Sequence, residues 1–455
     1  MGGIFTLIPI VVVLTMAVLT RKTASSLIVG IVTAYIVHSG TGFLWTLYDG
    51  IYAVGMASGT VWILVMMVFI GAMLGLTAEM GVSQAIIAFI QKRIDSQKGL
   101  FIWSWILIVV LFIDDGIRTM VLGQLSPLYD KYKVPRASLA YLADSTATGL
   151  ASVIPLTSWA AFYMGLFSGF EGFTDKTPFA MYVEVIPFMF YSWASILIVF
   201  LFTFGKFPKL GPMKTSYKRL AEFGELYTEK SKRFNETEAA QVNPETVVDK
   251  GAHKIICFLV MIAVLTIVVI IYQDLVIGLM IAVAILAIWA LLARFSTWEK
   301  LMRASLEGAA SMMIIVIIIF CAYSMREAFT VLGLPDFVVE VVEPFVSPAM
   351  FPFISFIAVC FLSFTTGSNW GVPAVYATIG VPLAMSIGAN RLMTMAAIIN
   401  GATFGGHVCF YADYTVYASA LTKIDNMEHA LTQFPYGLVG AAIAGLLFLG
   451  FGIAM

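Results

Sequence analysis

Charge is scarce in this chain. Of 455 residues only 12% are Asp, Glu, Lys or Arg, against 60% apolar, and the mean hydropathy is +0.94. Such a composition lies outside the range of soluble globular domains, and a net charge of −1 argues against a nucleic-acid partner. Cysteine is sparse as well. Cys257, Cys321, Cys360 and Cys409 sit singly in apolar runs without CxxC spacing, which speaks for core packing rather than a thiol metal site or a disulfide frame. Neither HExxH nor GxSxG occurs, so a membrane-embedded hydrolase has no dyad to work with and a non-enzymatic function is expected. The first apolar run, Ile4 to Leu19, has no basic segment before it and no small-residue cleavage pattern after it, and is expected to remain as a span.

What the chain does have is a succession of apolar runs of membrane length. A crossing helix needs about 20 apolar residues, and Lys and Arg mark the cytoplasmic ends. On that basis spans are expected at 4–20, 24–38 and 50–77, with an external loop from Ser39 to Asp49. The segment 91–98 (QKRIDSQK) and the segment 130–136 (DKYKVPR) are both basic, so the run between them is expected to enter, turn at Asp114-Asp115-Gly116 and return as a re-entrant hairpin. A broken helix over 138–168, interrupted at 143–149 (ADSTATG), and a span at 181–205 complete the first half. Residues 206–254 hold 10 of the 26 Lys+Arg and 7 of the 27 Asp+Glu, and are expected to form a solvated cytoplasmic linker.

The second half repeats the order: spans at 255–272, 275–293 and 306–332, an acidic external loop at 333–347, and a hairpin at 349–388 with its tip at 365–371 (TTGSNWG). A broken helix follows at 392–421, interrupted at 400–407 (NGATFGGH), and a last span at 434–454. Gly81 and Gly333, and Phe112 and Phe364, stand at one offset of 252 residues; Asp144 and Asn400 stand at 256. The expected fold is an all-α polytopic membrane protein of two inverted-topology repeats, 1–205 and 255–455, joined by 206–254. Each repeat has three spans, a re-entrant hairpin, a broken helix and a final span, about ten crossings plus two hairpins. Both termini are expected outside, and the setting is a cell membrane, the inner membrane of a bacterium.

Ionisable groups inside such runs are costly, about 2.5–3.5 kcal/mol each at mid-bilayer, and mark ion or substrate paths. Asp114, Asp115 and Arg118 share the first hairpin. Two carboxylates at one tip repel each other, so H+ and Na+ are expected to compete there. Na+ is a hard cation that takes oxygen ligands, for which Asp114, Asp115 and Asp144 are the carboxylate candidates and Ser145, Thr146, Thr366, Asn369, Asn400, His407 and Asp413 the supporting polar ones. Plainer roles compete with these. One aspartate can cap a half-helix while the other pairs with Arg118; Asp144 and Asn400 can act as caps, and a lone His407 as a hydrogen-bonded structural group. Glu79, Glu307 and Glu327 sit near helix ends, with Glu327 beside Arg326 as a local pair.

The segment FIDDGIRTMVLG, followed by LAYLADSTATGLASVIPLTSW, resembles the first signature of NhaC-type sodium/proton antiporters within the ion transporter superfamily. GATFGGHVCFYADYT, 401–415, is similar to their second. The resemblance implies a cation site near Asp114, Asp115, Asp144, Ser145, Thr146, His407 and Asp413. Two departures stand out: Gly406 occupies a position where the family usually has aspartate, and Arg118 adds a cation to the first hairpin. The implied activity is exchange of Na+ for H+ by alternating access, with a small organic anion held by Arg118 as an optional co-substrate. The alternatives are a Na+-coupled organic-acid or amino-acid carrier and, behind it, an ion channel. No cofactor is expected beyond the transported ions; the lipid bilayer is the surrounding partner, and a homodimer is compatible with the sequence.

Overall fold

The computed structural model describes residues 3–20, 23–91, 93–111, 122, 125–170, 176–236, 251–410 and 412–455. Among the described residues the chain is helical and has no strand. That follows from its solvent: in hydrocarbon every backbone N–H and C=O must find a partner within its own segment, and the helix does this. Among those residues six helical stretches are long and apolar enough to span, or eight if two bent pairs each count as one.

The largest apolar cluster joins side chains from both halves of the chain, among them Met67, Tyr141, Met261, Phe356 and Phe448. One close helix crossing is made by small residues. A Cβ on Gly75 would lie 1.9 Å from the Ala304 carbonyl oxygen, and one on Gly308 would lie 2.1 Å from that of Gly71. Helices Ser58–Glu79 and Trp298–Ser311 therefore touch backbone to backbone, as small-xxx-small pairs allow.

Both expected hairpins have their ends together. In the first, Gln97 Nε2 donates to the Tyr132 carbonyl at 2.6 Å and the Tyr132 hydroxyl to that of Ile94 at 2.9 Å, so the chain between returns to where it left. Its tip, with Asp114, Asp115 and Arg118, lies outside the described residues. The second runs up helix Phe351–Thr366, turns through Gly367 at φ 65° and comes back along Gly371–Ser386. Tyr376 donates to Ser355 at 3.1 Å between its arms.

Several expectations are corrected. The ADSTATG cluster does not break its helix: Arg136–Val153 runs straight through it, and the break falls at 154–157, where the axis bends by 41°. Pro155 is the cause. It has no N–H to give and forces Ile154 into an extended conformation, while the Thr157 hydroxyl bonds back to the Ala151 carbonyl at 2.6 Å and accepts from the Ala160 N–H. Likewise Arg391–Val408 continues through 400–407 and ends at an extended Cys409, before helix Asp413–Thr422. Hydroxyls in both clusters bond the carbonyl four residues back, Thr148 to Asp144 and Thr403 to Ile399, so they sit inside helices without interrupting them. The expected 181–205 span is also bent, by 59°, between Pro178–Phe188 and Phe190–Thr203.

The expected loop at 39–49 is helical, as is most of 333–347, where Leu334–Val342 follows a left-handed Gly333. The charged linker is not simply solvated either. Helices Gly211–Phe223 and Glu229–Glu236 fold onto the start of the last helix, Asn426–Ala454. There Glu428 accepts from Arg219 at 2.6 Å and from the Thr228 and Ser231 hydroxyls at 2.7 Å each.

Candidate ion site

Asp144 sits at mid-length of helix Arg136–Val153, 2% exposed. An uncompensated carboxylate at such depth costs several kcal/mol, so its partners matter. Oδ2 lies 3.1 Å from His429 Nε2, accepts from Gln433 Nε2 at 2.9 Å and stands 3.4 Å from the Thr415 hydroxyl. The Thr148 hydroxyl, one turn along the same helix, reaches Oδ1 at 3.0 Å. His429 and Gln433 lie one helical turn apart near the start of the last helix, which is why one face of it serves a single carboxylate.

His407 lies beside this group. Its Nε2 is 2.6 Å from the Ser145 hydroxyl and its Nδ1 is 2.6 Å from the Tyr191 hydroxyl, while Gln433 Nε2 also donates to its backbone carbonyl at 2.5 Å. Both ring nitrogens are thus engaged by hydroxyls. The bonds Ser145 to His407 and Ser152 to Thr403 (3.0 Å) show that the two long helices run antiparallel across the centre. Between them Thr148, Ser152, Thr403 and Asn369 line a cavity of about 10 Å³, closed by Trp159 and Tyr414, which hydrogen-bond to each other. It has room for roughly one water-sized sphere. The buried Oδ1 of Asn369 has no hydrogen-bond partner.

The structure thus brings Asp144, Ser145, Asn369 and His407 together. Thr146 is buried on the same helix, with its hydroxyl unpartnered. Thr366 serves the hairpin turn: its hydroxyl bonds to the Leu362 carbonyl at 2.7 Å and accepts from the Ser368 N–H. Asn400 acts as a cap from a distance, its Oδ1 accepting from the Tyr191 and Ser192 N–H groups at 2.5 and 3.3 Å, where helix Phe190–Thr203 begins. Asp413 opens helix Asp413–Thr422, and its side chain lies outside the described residues, as do Asp114, Asp115 and Arg118. Among the described residues no three His, Cys, Asp or Glu groups cluster as a metal site; around Asp144 they offer hydroxyl, amide and carbonyl oxygens.

Sequence reasoning missed His429, Gln433, Thr415, Thr148 and Tyr191. A signal existed for two of them. Polar residues at 429 and 433 stand one helical turn apart just before the apolar run 434–454, a spacing that puts both on one helix face.

Over the whole chain, a Haemophilus influenzae protein described as uncharacterized is similar: 23% identical over 489 aligned residues, covering 99% of this chain and 91% of that one. A shorter similarity, 27% over 104 residues, covers 23% of this chain and 22% of the malate-2H(+)/Na(+)-lactate antiporter of Bacillus subtilis. The fold resembles the Alcanivorax borkumensis YdaH transporter with a TM-score of 0.62 at 14% identity, over 91% of this chain and 90% of that one. The sequence profile of the Na+/H+ antiporter family matches residues 150–453, two thirds of the chain, which include His407, Thr415, His429 and Gln433 but begin just after Asp144, Ser145 and Thr148. This protein therefore belongs to the Na+/H+ antiporter family.

Proposed function

We propose that this multi-pass membrane transporter exchanges Na+ for H+ at the Asp144 centre by alternating access, with a small organic anion as co-substrate. The observation that carries the reading is the buried pair of Asp144 and His429, 3.1 Å apart and with side chains wholly shielded from solvent. A carboxylate at that depth needs one compensating positive charge. A proton on His429 provides it, and so does Na+ seated among Asp144, Thr148, Ser152, Thr403 and Asn369; the two together would leave a surplus. Mutual exclusion of the two ions is what an exchanger requires. His407, the other imidazole at the centre, faces Ser145 and Tyr191 and serves to hold the helices in register.

The two-repeat layout of 1–205 and 255–455 fits the same reading. Helices Arg136–Val153 and Arg391–Val408 pass antiparallel, and each is followed by a break, at 154–157 and 409–412. An inverted repeat puts equivalent elements on opposite sides of one site, so rocking one half against the other opens it to either face in turn.

The test is Na+ affinity against pH in liposomes. If one proton leaves for each Na+ bound, apparent affinity rises about tenfold per pH unit and levels off once that proton is gone. His429→Gln keeps a donor for Asp144 but cannot titrate, and flattens that slope. Asp144→Asn removes the charge and weakens Na+ binding about a hundredfold or more, in line with the cost of breaking a buried pair. A slope that persists in His429→Gln moves the proton to another carrier, with Asp114 and Asp115 the next to mutate.

A further inference from the structure

A second cavity, about 530 Å³, lies where the ends of several helices meet, and is bordered by Ala57, Ser168, Pro178 and Asp274. These are the ends that the Lys and Arg pattern of the sequence assigns to the outer side. Its volume falls within the range of small-molecule sites, roughly 300–1,000 Å³. Among the described residues three charged side chains line it: Lys176, Asp274 and Arg326.

Two of the three are already engaged. Lys176 pairs with Glu184 at 2.5 Å. Asp274 caps helix Leu275–Leu292 through the Val276 and Ile277 N–H groups and accepts from Trp62 Nε1 at 3.2 Å. Arg326 is not. Its Nη1 is buried without a hydrogen-bond partner, and the local pair expected with Glu327 is not formed among the described residues. The guanidinium is nonetheless held in place. Its carbon lies 5.2 Å from the Phe170 ring centre and 5.1 Å from that of Tyr323, and the Tyr323 hydroxyl is itself anchored on the Gly165 carbonyl. Gly169 makes the room: a Cβ there would lie 2.1 Å from Nη1, although its φ of −95° suits any residue.

An arginine held between aromatic rings at a cavity wall, with one buried donor that no acceptor among the described residues takes, is prepared for a planar anion that engages its fork. We propose that this cavity is a docking site for a small organic carboxylate, gripped by Arg326 and flanked by the rings of Trp62 and Tyr323. Under the exchange reading, on which this rests for its purpose alone, the cavity is where the organic co-substrate first binds. It places that role at Arg326 rather than at Arg118.

The test is calorimetric titration of the purified full chain with choline benzoate in Na+-free buffer, with choline chloride as the control anion. Saturable benzoate binding is expected, weakened at least tenfold in Arg326→Lys, which keeps the charge and loses the fork. Gly169→Ala should weaken it to a similar extent by pushing the guanidinium aside, and it decides the matter alone if Arg326→Lys does not fold. Three results overturn the proposal: no saturable binding by the unaltered chain, undiminished affinity in either folded variant, or chloride displacing benzoate at equal concentration. Since no Na+ is present, failure of the Na+ and H+ coupling at His429 would leave the benzoate result standing.

Discussion

At Gly406, where the resemblance implied an aspartate, a neighbour leaves no room for a side chain. A Cβ at 406 would lie 2.2 Å from Asn369 Oδ1, so the amide from the second hairpin tip fills the space where the family usually places a carboxylate. An unpartnered amide oxygen in this cavity can then do for an ion part of what an aspartate does, without a second charge. Gly406→Asp alone should therefore overpack the centre and cost about 1–3 kcal/mol of stability, read as a lower melting temperature in detergent. Adding Asn369→Gly should recover most of that loss, and a double-mutant cycle with no coupling would sink the idea. At this scale the sequence disclosed Asp144 and His407 as polar groups where none is cheap. It could not pair Asp144 with His429, because 285 residues separate them and either one alone reads as a structural group.

Between elements, packing without side chains holds the crossing of helices Ser58–Glu79 and Trp298–Ser311. Gly75→Ala sets a methyl group 1.9 Å from the Ala304 carbonyl, and the rigid backbone there cannot yield as a flexible side chain would. A loss of about 1–3 kcal/mol is expected. Gly450→Ala in the last helix is the matched control: nothing lies within 4 Å of its Cβ, so the change should be neutral or stabilise by up to about 1 kcal/mol. Thermal unfolding of both variants in one detergent checks the pair, and equal effects would show that the close crossing contributes nothing. Element positions were mostly legible, since apolar run length and basic flanks are local properties. The breaks were misplaced by about two turns or more because small and hydroxyl residues were read as interruptions, whereas in the first of them it is Pro155 that removes a backbone donor.

For the whole molecule, the contacts between Gln97 and Tyr132 and between Ser355 and Tyr376 bring the ends of both expected hairpins together. Cysteines introduced at Lys98 and Lys133 should accordingly label from the cytoplasm, and those at Phe345 and Ala389 from outside. The four native cysteines are buried and give little background. Labelling from opposite sides within either pair would remove that hairpin. The sequence by itself determined the solvent, because 60% apolar residues in runs of membrane length have no other place to fold. It also determined the order of elements and the small set of polar residues worth suspecting. Only the tertiary structure decided which of them meet. Asp144 finds its partners on two other helices, Asn369 takes the space left by Gly406, and Arg326 keeps one buried donor unpartnered beside a cavity. Those pairings depend on crossing angles and helix rotation, which arise from packing across the whole core and leave no local mark in the chain.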